Sequence, residues 1–325
     1  MMKTTMIKSS FGKLGMILGG VVVLSGAIAQ ADTFGTGASV FSLDFVPVGN
    51  AGNGNDPATG GVYGGVAYDY RMGTYEISQG SINAAVASGL TGITANNWSQ
   101  VKPSNGITWY QAAGFVNWLN TSTGHQPAYQ LNAGLTEMTL WSSAEAWQEG
   151  GENLYRNKNA YYFLPSRNEW HKAAYHKNDG VTADYWLYPT ASNAIPTQVT
   201  SGTSAGTAVY GYSLGQGPAS VYTAGGLSAY GTMAQGGNVW EWGESAYDGS
   251  NDSATERRAG LGGPWLDPSD FMLSSCMWGN ALPTGTFSSV GFRVASVPEP
   301  SSAVLMIGAG VLGLARRRAR VDFCG

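Results

Sequence analysis

Apolar residues recur at helical spacing in three places along the middle of the chain. Around Ser78–Ala87, Ser78 can cap a helix whose Ile82, Ala85 and Val86 share a face. From Thr108, Ala112, Phe115, Val116 and Leu119 fall at i, i+3, i+4 and i+7, which predicts a helix ending near Gly124. Ser166-Arg167-Asn168-Glu169 forms a capping box, in which the hydroxyl takes one orphan amide and Glu169 reaches back to the other. Trp170, Ala173 and Ala174 then give the third helix its buried face. Short strands are expected at Tyr68–Ile77, Val239–Trp242 and Phe292–Ala295. The Gly/Asn-rich stretch from Gly49 to Gly65 reads as a long loop, and Ala191 to Gly217 as irregular chain.

Continuous apolar runs occur only at the two ends. Leu14 to Ala27 follows Lys3, Lys8 and Lys13 and precedes Ala29-Gln30-Ala31, the order of a secretory signal peptide over residues 1–31. Ala27-Ile28-Ala29 is an alternative cleavage site. Ala303 to Ala315 follows Val297-Pro298-Glu299-Pro300 and precedes Arg316-Arg317-Arg318-Ala319-Arg320. A run ending in arginines stops in a bilayer with its basic end in the cytoplasm. Residues 32–296 lie between as one domain with no internal repeat. Residues 297–325 form a tail with a membrane helix.

Composition narrows the class. Glycine supplies 47 of 325 residues and charged residues only 12%, while aromatics reach 12%. Such a chain is neither a coiled coil nor a disordered acidic segment. Without its ends the body carries 10 basic and 19 acidic residues, a net charge of −9. That charge repels phosphate backbones, so no nucleic-acid partner is expected, and it suits divalent cations or neutral sugars. Only Cys276 remains in the body, which leaves no intramolecular disulfide there.

The tail, with Pro298-Glu299-Pro300, an apolar helix and Arg316, Arg317 and Arg318, resembles the PEP-CTERM sorting signal of bacteria that make extracellular polysaccharide. The resemblance implies recognition by an exosortase, cleavage near the motif, and delivery to the cell surface or matrix of a Gram-negative bacterium.

Seven further segments stand in a telling order. They are Phe45–Asn50, Tyr70–Ser78, Ile107–Ala113, Phe163–Trp170, Gly237-Asn238-Val239-Trp240-Glu241-Trp242, Leu261-Gly262-Gly263-Pro264-Trp265 and Gly291-Phe292-Arg293-Val294-Ala295. Together they resemble the formylglycine-generating enzyme, or sulfatase-modifying factor, family. The resemblance implies an α+β fold, that family's variant of the C-type-lectin-like fold, with little regular secondary structure and signal helices at the termini.

The family's enzymes oxidise a substrate cysteine with oxygen and copper, using two cysteines five residues apart after the double glycine. A soft thiolate pair holds Cu(I), and hard ligands replace it poorly. Here the two positions are Asp267 and Met272, and Cys276 stands alone. Catalysis is therefore not expected and no cofactor is assigned. The family also implies a calcium site, which would draw on the Gly237 and Val239 carbonyls and the Glu241 carboxylate. Ala234 replaces its upstream oxygen ligand, so any calcium would be weakly held. The plainer expectation for Glu241 is a carboxylate satisfied by backbone amides.

Trp240 and Trp242 are expected to pack in the core on alternate strand faces, with a sugar-stacking surface as the alternative. His171 and His176 are five apart, the wrong spacing for a shared metal, and read as surface residues. Cys276 reads as a small buried hydrophobe. Glu241 with Glu244, and Asp267 with Asp270, are conceivable acid/base pairs. Asn97-Trp98-Ser99 matches a glycosylation sequon without bacterial meaning. The favoured function is a non-catalytic, exported binding or structural protein of extracellular polysaccharide. The alternatives are an oxidoreductase or hydrolase with a non-cysteine centre, and a calcium-dependent structural protein.

Overall fold

The computed structural model describes residues 29–94 and 99–298. The apolar runs at both ends, the arginine cluster, Glu299, Pro300 and the first two sequon residues lie outside them. Among the described residues no helix is long and apolar enough to cross a membrane.

The chain begins with an antiparallel pair, β1 (Gln30–Phe34) and β2 (Phe41–Val48), and β3 (Tyr70–Gly73) pairs on the far side of β2. β1 thus starts two residues before the expected domain boundary. The Gly49–Gly65 loop joins β2 to β3, with one short 3-10 turn at Pro57–Thr59.

The three helices fall where their apolar spacing places them. α1 (Gln79–Ala87) is capped by the Ser78 hydroxyl, which accepts from the Ser81 amide. α2 (Trp109–Ser122) starts at Thr108 with a full capping box completed by Gln111. Short pairs follow: β4 (Gln130–Leu131) with β5 (Met138–Thr139), and β6 (Ala146–Trp147) with β7 (Asn153–Asn157). After β8 (Tyr162–Phe163) comes α3 (Arg167–Tyr175), whose capping box is the one read from Ser166 and Glu169. The irregular stretch holds only a two-residue parallel pair, β9 (Thr197–Gln198) with β10 (Thr207–Ala208).

A second sheet forms from β11 (Trp240–Ala246), β12 (Arg258–Leu261), β13 (Trp278–Ala281) and β14 (Val290–Gly291), in the order β13-β12-β11-β14. The last strand, β15 (Ala295–Ser296), returns to the first sheet between β3 and β8.

Two strand expectations therefore need correction. Strand pairing at Tyr68–Ile77 is confined to β3. The predicted strand at Phe292–Ala295 is largely a crossing between the two sheets. Its backbone is satisfied from β3 onward, since Val294 accepts from the Gly73 amide and Phe292 from the Ile77 amide, both at 2.8 Å. The crossing carries Arg293 to the junction between the sheets. Large rings fill the core around it, with Trp109, Trp170, Trp242, Tyr129 and Phe115 almost fully buried. Burying such a side chain is worth about 1.5–3 kcal/mol. This aromatic filling supports long irregular segments that have few ladder bonds of their own.

Candidate functional site

Following the double glycine, the chain reaches the two positions where the resemblance asks for thiols. Gly262 and Gly263 have φ of +95° and +77°, and a Cβ on Gly262 would come within 2.7 Å of the Gln235 carbonyl. Glycine is needed there to turn β12 into the following 3-10 turn at Ser269–Met272. Asp267 is half-buried, and its carboxylate accepts from the Trp240 indole; burial raises its pKa. Met272 is buried against Tyr188 and Ala208. Its carbonyl accepts from the Tyr175 hydroxyl at 3.1 Å.

Cys276 is half-buried, more exposed than a small core residue. Burial, followed by the charges of Asp270 and Asp267, pushes its thiol up. A neutral thiol beside an aspartate and a buried methionine is not a Cu(I) site, because two thiolates are missing. The residues present do not fit copper.

Glu241 lies on β11 between two buried tryptophans. Trp240 is 4% exposed and Trp242 is not exposed at all, so neither offers a ring to a sugar. The Glu241 carboxylate meets neither backbone amides nor an open cation site. Oε1 accepts from Arg293 Nη2 at 2.6 Å, and Oε2 from Arg293 Nε and Trp170 Nε1, both at 2.7 Å. Arg293 also donates to the carbonyls of Gly73, Thr74 and Met233. A protein guanidinium thus sits in a cage of oxygens of the kind a calcium ion requires. With Glu241 engaged and Ala234 upstream, the residues do not fit a calcium ion bound through Gly237, Val239 and Glu241. Among the described residues, no group of three or more His, Cys, Asp or Glu converges on a metal position.

Three more buried carboxylates extend this ionic core. Glu76 accepts from Asn238 Nδ2 at 2.5 Å and from the Val239 amide at 3.3 Å. Burial, then the charge of Glu241, raises its pKa well above the usual range. Glu244 and Glu169 grip Arg156 from two sides. Arg156 bonds both oxygens of Glu169 at 2.8 Å, and its Nη2 lies 2.6 Å from Glu244 Oε2. Tyr129 and Asn153 complete Glu244, and Tyr68 completes Glu169. Burial works to raise the Glu169 pKa, but Arg156 overrides it and the pKa falls. Glu241 and Glu244 are thus held in separate ion pairs, with Arg293 and Arg156.

The histidines also require correction, for both are buried. His171 Nε2 lies 2.9 Å from Asp56 Oδ2, and His176 Nδ1 lies 2.9 Å from the Tyr230 hydroxyl. Their partners lie 115 and 54 residues away, beyond any local pattern. Arg156, Glu76, Asn238 and Asp56 had no reading of their own in the sequence. Arg156 stands among Asn153, Asn157 and Lys158, so nothing local marks it as buried.

Comparisons with known proteins agree with this architecture. The sulfatase-modifying factor enzyme 1-like domain matches residues 45–297, and the PEP-CTERM protein-sorting motif matches residues 296–319. The motif marks the chain for export to the envelope or surface of a Gram-negative bacterium, with an exosortase as its sorting enzyme. Treponema denticola variable protein 1 is similar in structure at TM-score 0.55 and 19% identity, over 82% of this chain and 99% of that one. PvdO from Pseudomonas aeruginosa is similar at TM-score 0.51 and 15% identity, over 82% and 98%. CarF is similar at TM-score 0.51 and 18% identity, over 79% and 99%. No curated protein sequence matches the chain. At these identities the solved structures establish the fold alone, the α+β formylglycine-generating-enzyme variant of the C-type-lectin-like fold. With the family model spanning most of the chain, this exported protein belongs to the sulfatase-modifying factor enzyme 1-like family.

Proposed function

We propose that this protein is a non-catalytic member of its family that works at the cell surface or in the extracellular matrix as a binding or structural module for polysaccharide. One observation carries the reading. The two positions where formylglycine chemistry needs thiols hold Asp267 and Met272, in a domain that matches the family along its length. Both residues have structural roles, Asp267 under the Trp240 indole and Met272 in the core. The acidic body and the sorting motif support a neutral extracellular partner.

The chain is divided, in this reading, into a leader, a domain and a sorting tail. In it the apolar run of the tail holds the protein in the membrane until an exosortase cuts near Pro298. Cleavage of the leader after Ala29 keeps β1 whole, whereas cleavage after Ala31 removes Gln30 and Ala31 from its pairing with Phe45 and Asp44.

The test uses protein recovered from the producing cells. It should co-sediment with the cells' own extracellular polysaccharide and leave a cysteine-containing sulfatase peptide unchanged in the presence of Cu(I) and oxygen. Aldehyde formation in that peptide would overturn the non-catalytic part. Failure to co-sediment would overturn the polysaccharide part.

A further inference from the structure

A cavity of about 260 Å³ lies on the first sheet, away from Asp267 and Met272. Its walls come from β2, the chain leaving β3, the start of α1 and the loop at Val221-Tyr222. Three features define its chemistry. First, Tyr75 and Tyr222 meet edge to face, with ring centroids 5.0 Å apart at 74°. Tyr222 is 47% exposed, so a large part of the side chain is open to solvent. Second, exposed Ser42 and Asp44 of β2 form the facing rim, and no Lys or Arg is among its described lining residues. Third, both sides of the cavity are held by backbone bonds. Thr74 donates its amide to the Asp44 carbonyl at 2.8 Å, Val221 to the Val101 carbonyl at 2.9 Å, and Gly202 to the Thr223 carbonyl at 2.7 Å.

We infer that this cavity is a binding subsite for one or two units of a neutral hexose polymer, with Tyr222 as the stacking platform and Asp44 as the hydroxyl acceptor. The inference rests on the polysaccharide reading above and names where the chain would be gripped. An aromatic face covers the C–H side of a pyranose with little loss of side-chain freedom. A carboxylate accepts from adjacent hydroxyls more strongly than a neutral acceptor does. An acidic rim without a basic partner disfavours uronic acids, since an unpaired like charge opposes binding. The volume falls just under the about 300–1,000 Å³ of drug-sized sites, which suits one or two rings better than a longer segment. Fixed walls reduce the ordering cost of binding.

The experiment is calorimetric titration of the exported protein, recovered from its cells, with cellohexaose and separately with hexagalacturonate. Cellohexaose should bind and hexagalacturonate should not. Tyr222→Ala and Asp44→Asn should each weaken cellohexaose about tenfold or more, as expected for loss of one stacked ring or one charged acceptor. Tyr247→Ala, which removes an exposed tyrosine outside the cavity, should bind like wild type. Thermal melts establish that each variant is folded. Wild-type affinity in both Tyr222→Ala and Asp44→Asn overturns the subsite. Equal affinity for the two oligosaccharides overturns the neutral-sugar assignment. If cellohexaose fails to bind while the native polysaccharide still co-sediments, the subsite falls and the broader reading stands; if neither is bound, both fall.

Discussion

Arg293 and Glu241 meet at two points, 2.6 and 2.7 Å apart, at the place where the chain crosses from one sheet to the other. Neither side chain is more than 1% exposed. The pair ties the crossing to β11 and, through the Arg293 bonds to Gly73, Thr74 and Met233, to the end of β3 and the segment preceding Gly237. Removing one member strands the other charge without water. Arg293→Met or Glu241→Gln should each cost about 3–5 kcal/mol of stability. The double variant should cost less than the sum of the two, because neither charge is then left buried without its partner. Denaturant titration of all four proteins gives the coupling. Additive losses below about 1 kcal/mol each would show that the pair is not the joint between the sheets.

The same arrangement shows what local sequence can convey. The caps at Ser78, Thr108 and Ser166 and the face of Ala112, Phe115, Val116 and Leu119 depend on neighbours a few residues away, and the structure follows them. The family segments carried the fold, because their order encodes a topology that periodicity alone does not. The ionic core was not legible. Glu241 finds its cation 52 residues later and Arg156 finds Glu244 88 residues later, so no window contains both partners. The histidines misled for the same reason. Five apart, at the wrong spacing for a shared metal, they read as surface residues, yet the long loop after β2 brings Asp56 over His171. The cavity was equally hidden. Tyr75 stood in a segment already noted for its family resemblance, and Tyr222 in glycine-rich chain with no pattern.

Buried histidines make stability depend on pH. Burial lowers the pKa of His171 more than Asp56 raises it, and burial likewise lowers that of His176. The His176 ring accepts the Asn178 amide at Nδ1, which needs the neutral form. Unfolding returns both rings to an ordinary pKa of about 6.5. The unfolded state therefore binds more protons below that pH, so stability is full above it and falls as the pH drops through the folded values. Melting temperature should decline from pH 7.5 to pH 5, and His176→Gln should flatten part of the decline. An unchanged slope in that variant would assign the pH dependence to other groups.

Gly237 should tolerate no side chain. Its φ is +83°, and an added Cβ would press on the Val209 carbonyl. Asn238 beside it is also left-handed at φ +60° and passes its amide to the same Val209 carbonyl at 2.8 Å. This double turn aims the Asn238 side chain at Glu76. Gly237→Ala should cost about 1–3 kcal/mol for backbone strain, with more from the carbonyl contact. Gly249→Ala makes the comparison, because its φ of +90° carries the strain with nothing within 4 Å. Melts of the two variants separate the contribution of strain from that of contact. Equal losses would mean that the Val209 carbonyl yields freely.

The thiol of Cys276 gives the sharpest check on the loss of catalysis. Its pKa is raised by burial, then by Asp270 and Asp267, so its thiolate fraction at pH 8 lies below that of free cysteine. Iodoacetamide should therefore modify the Cys276 peptide more slowly than free cysteine at pH 8, with the rate still climbing above pH 9. Asp270→Asn should speed the reaction by removing the stronger of the two opposing charges, and Asp267→Asn should speed it less. Mass spectrometry of the Cys276 peptide keeps Cys324 out of the measurement. Alkylation faster than free cysteine would reveal an activated thiol beside Asp267, and with it a centre that a non-catalytic module should not possess.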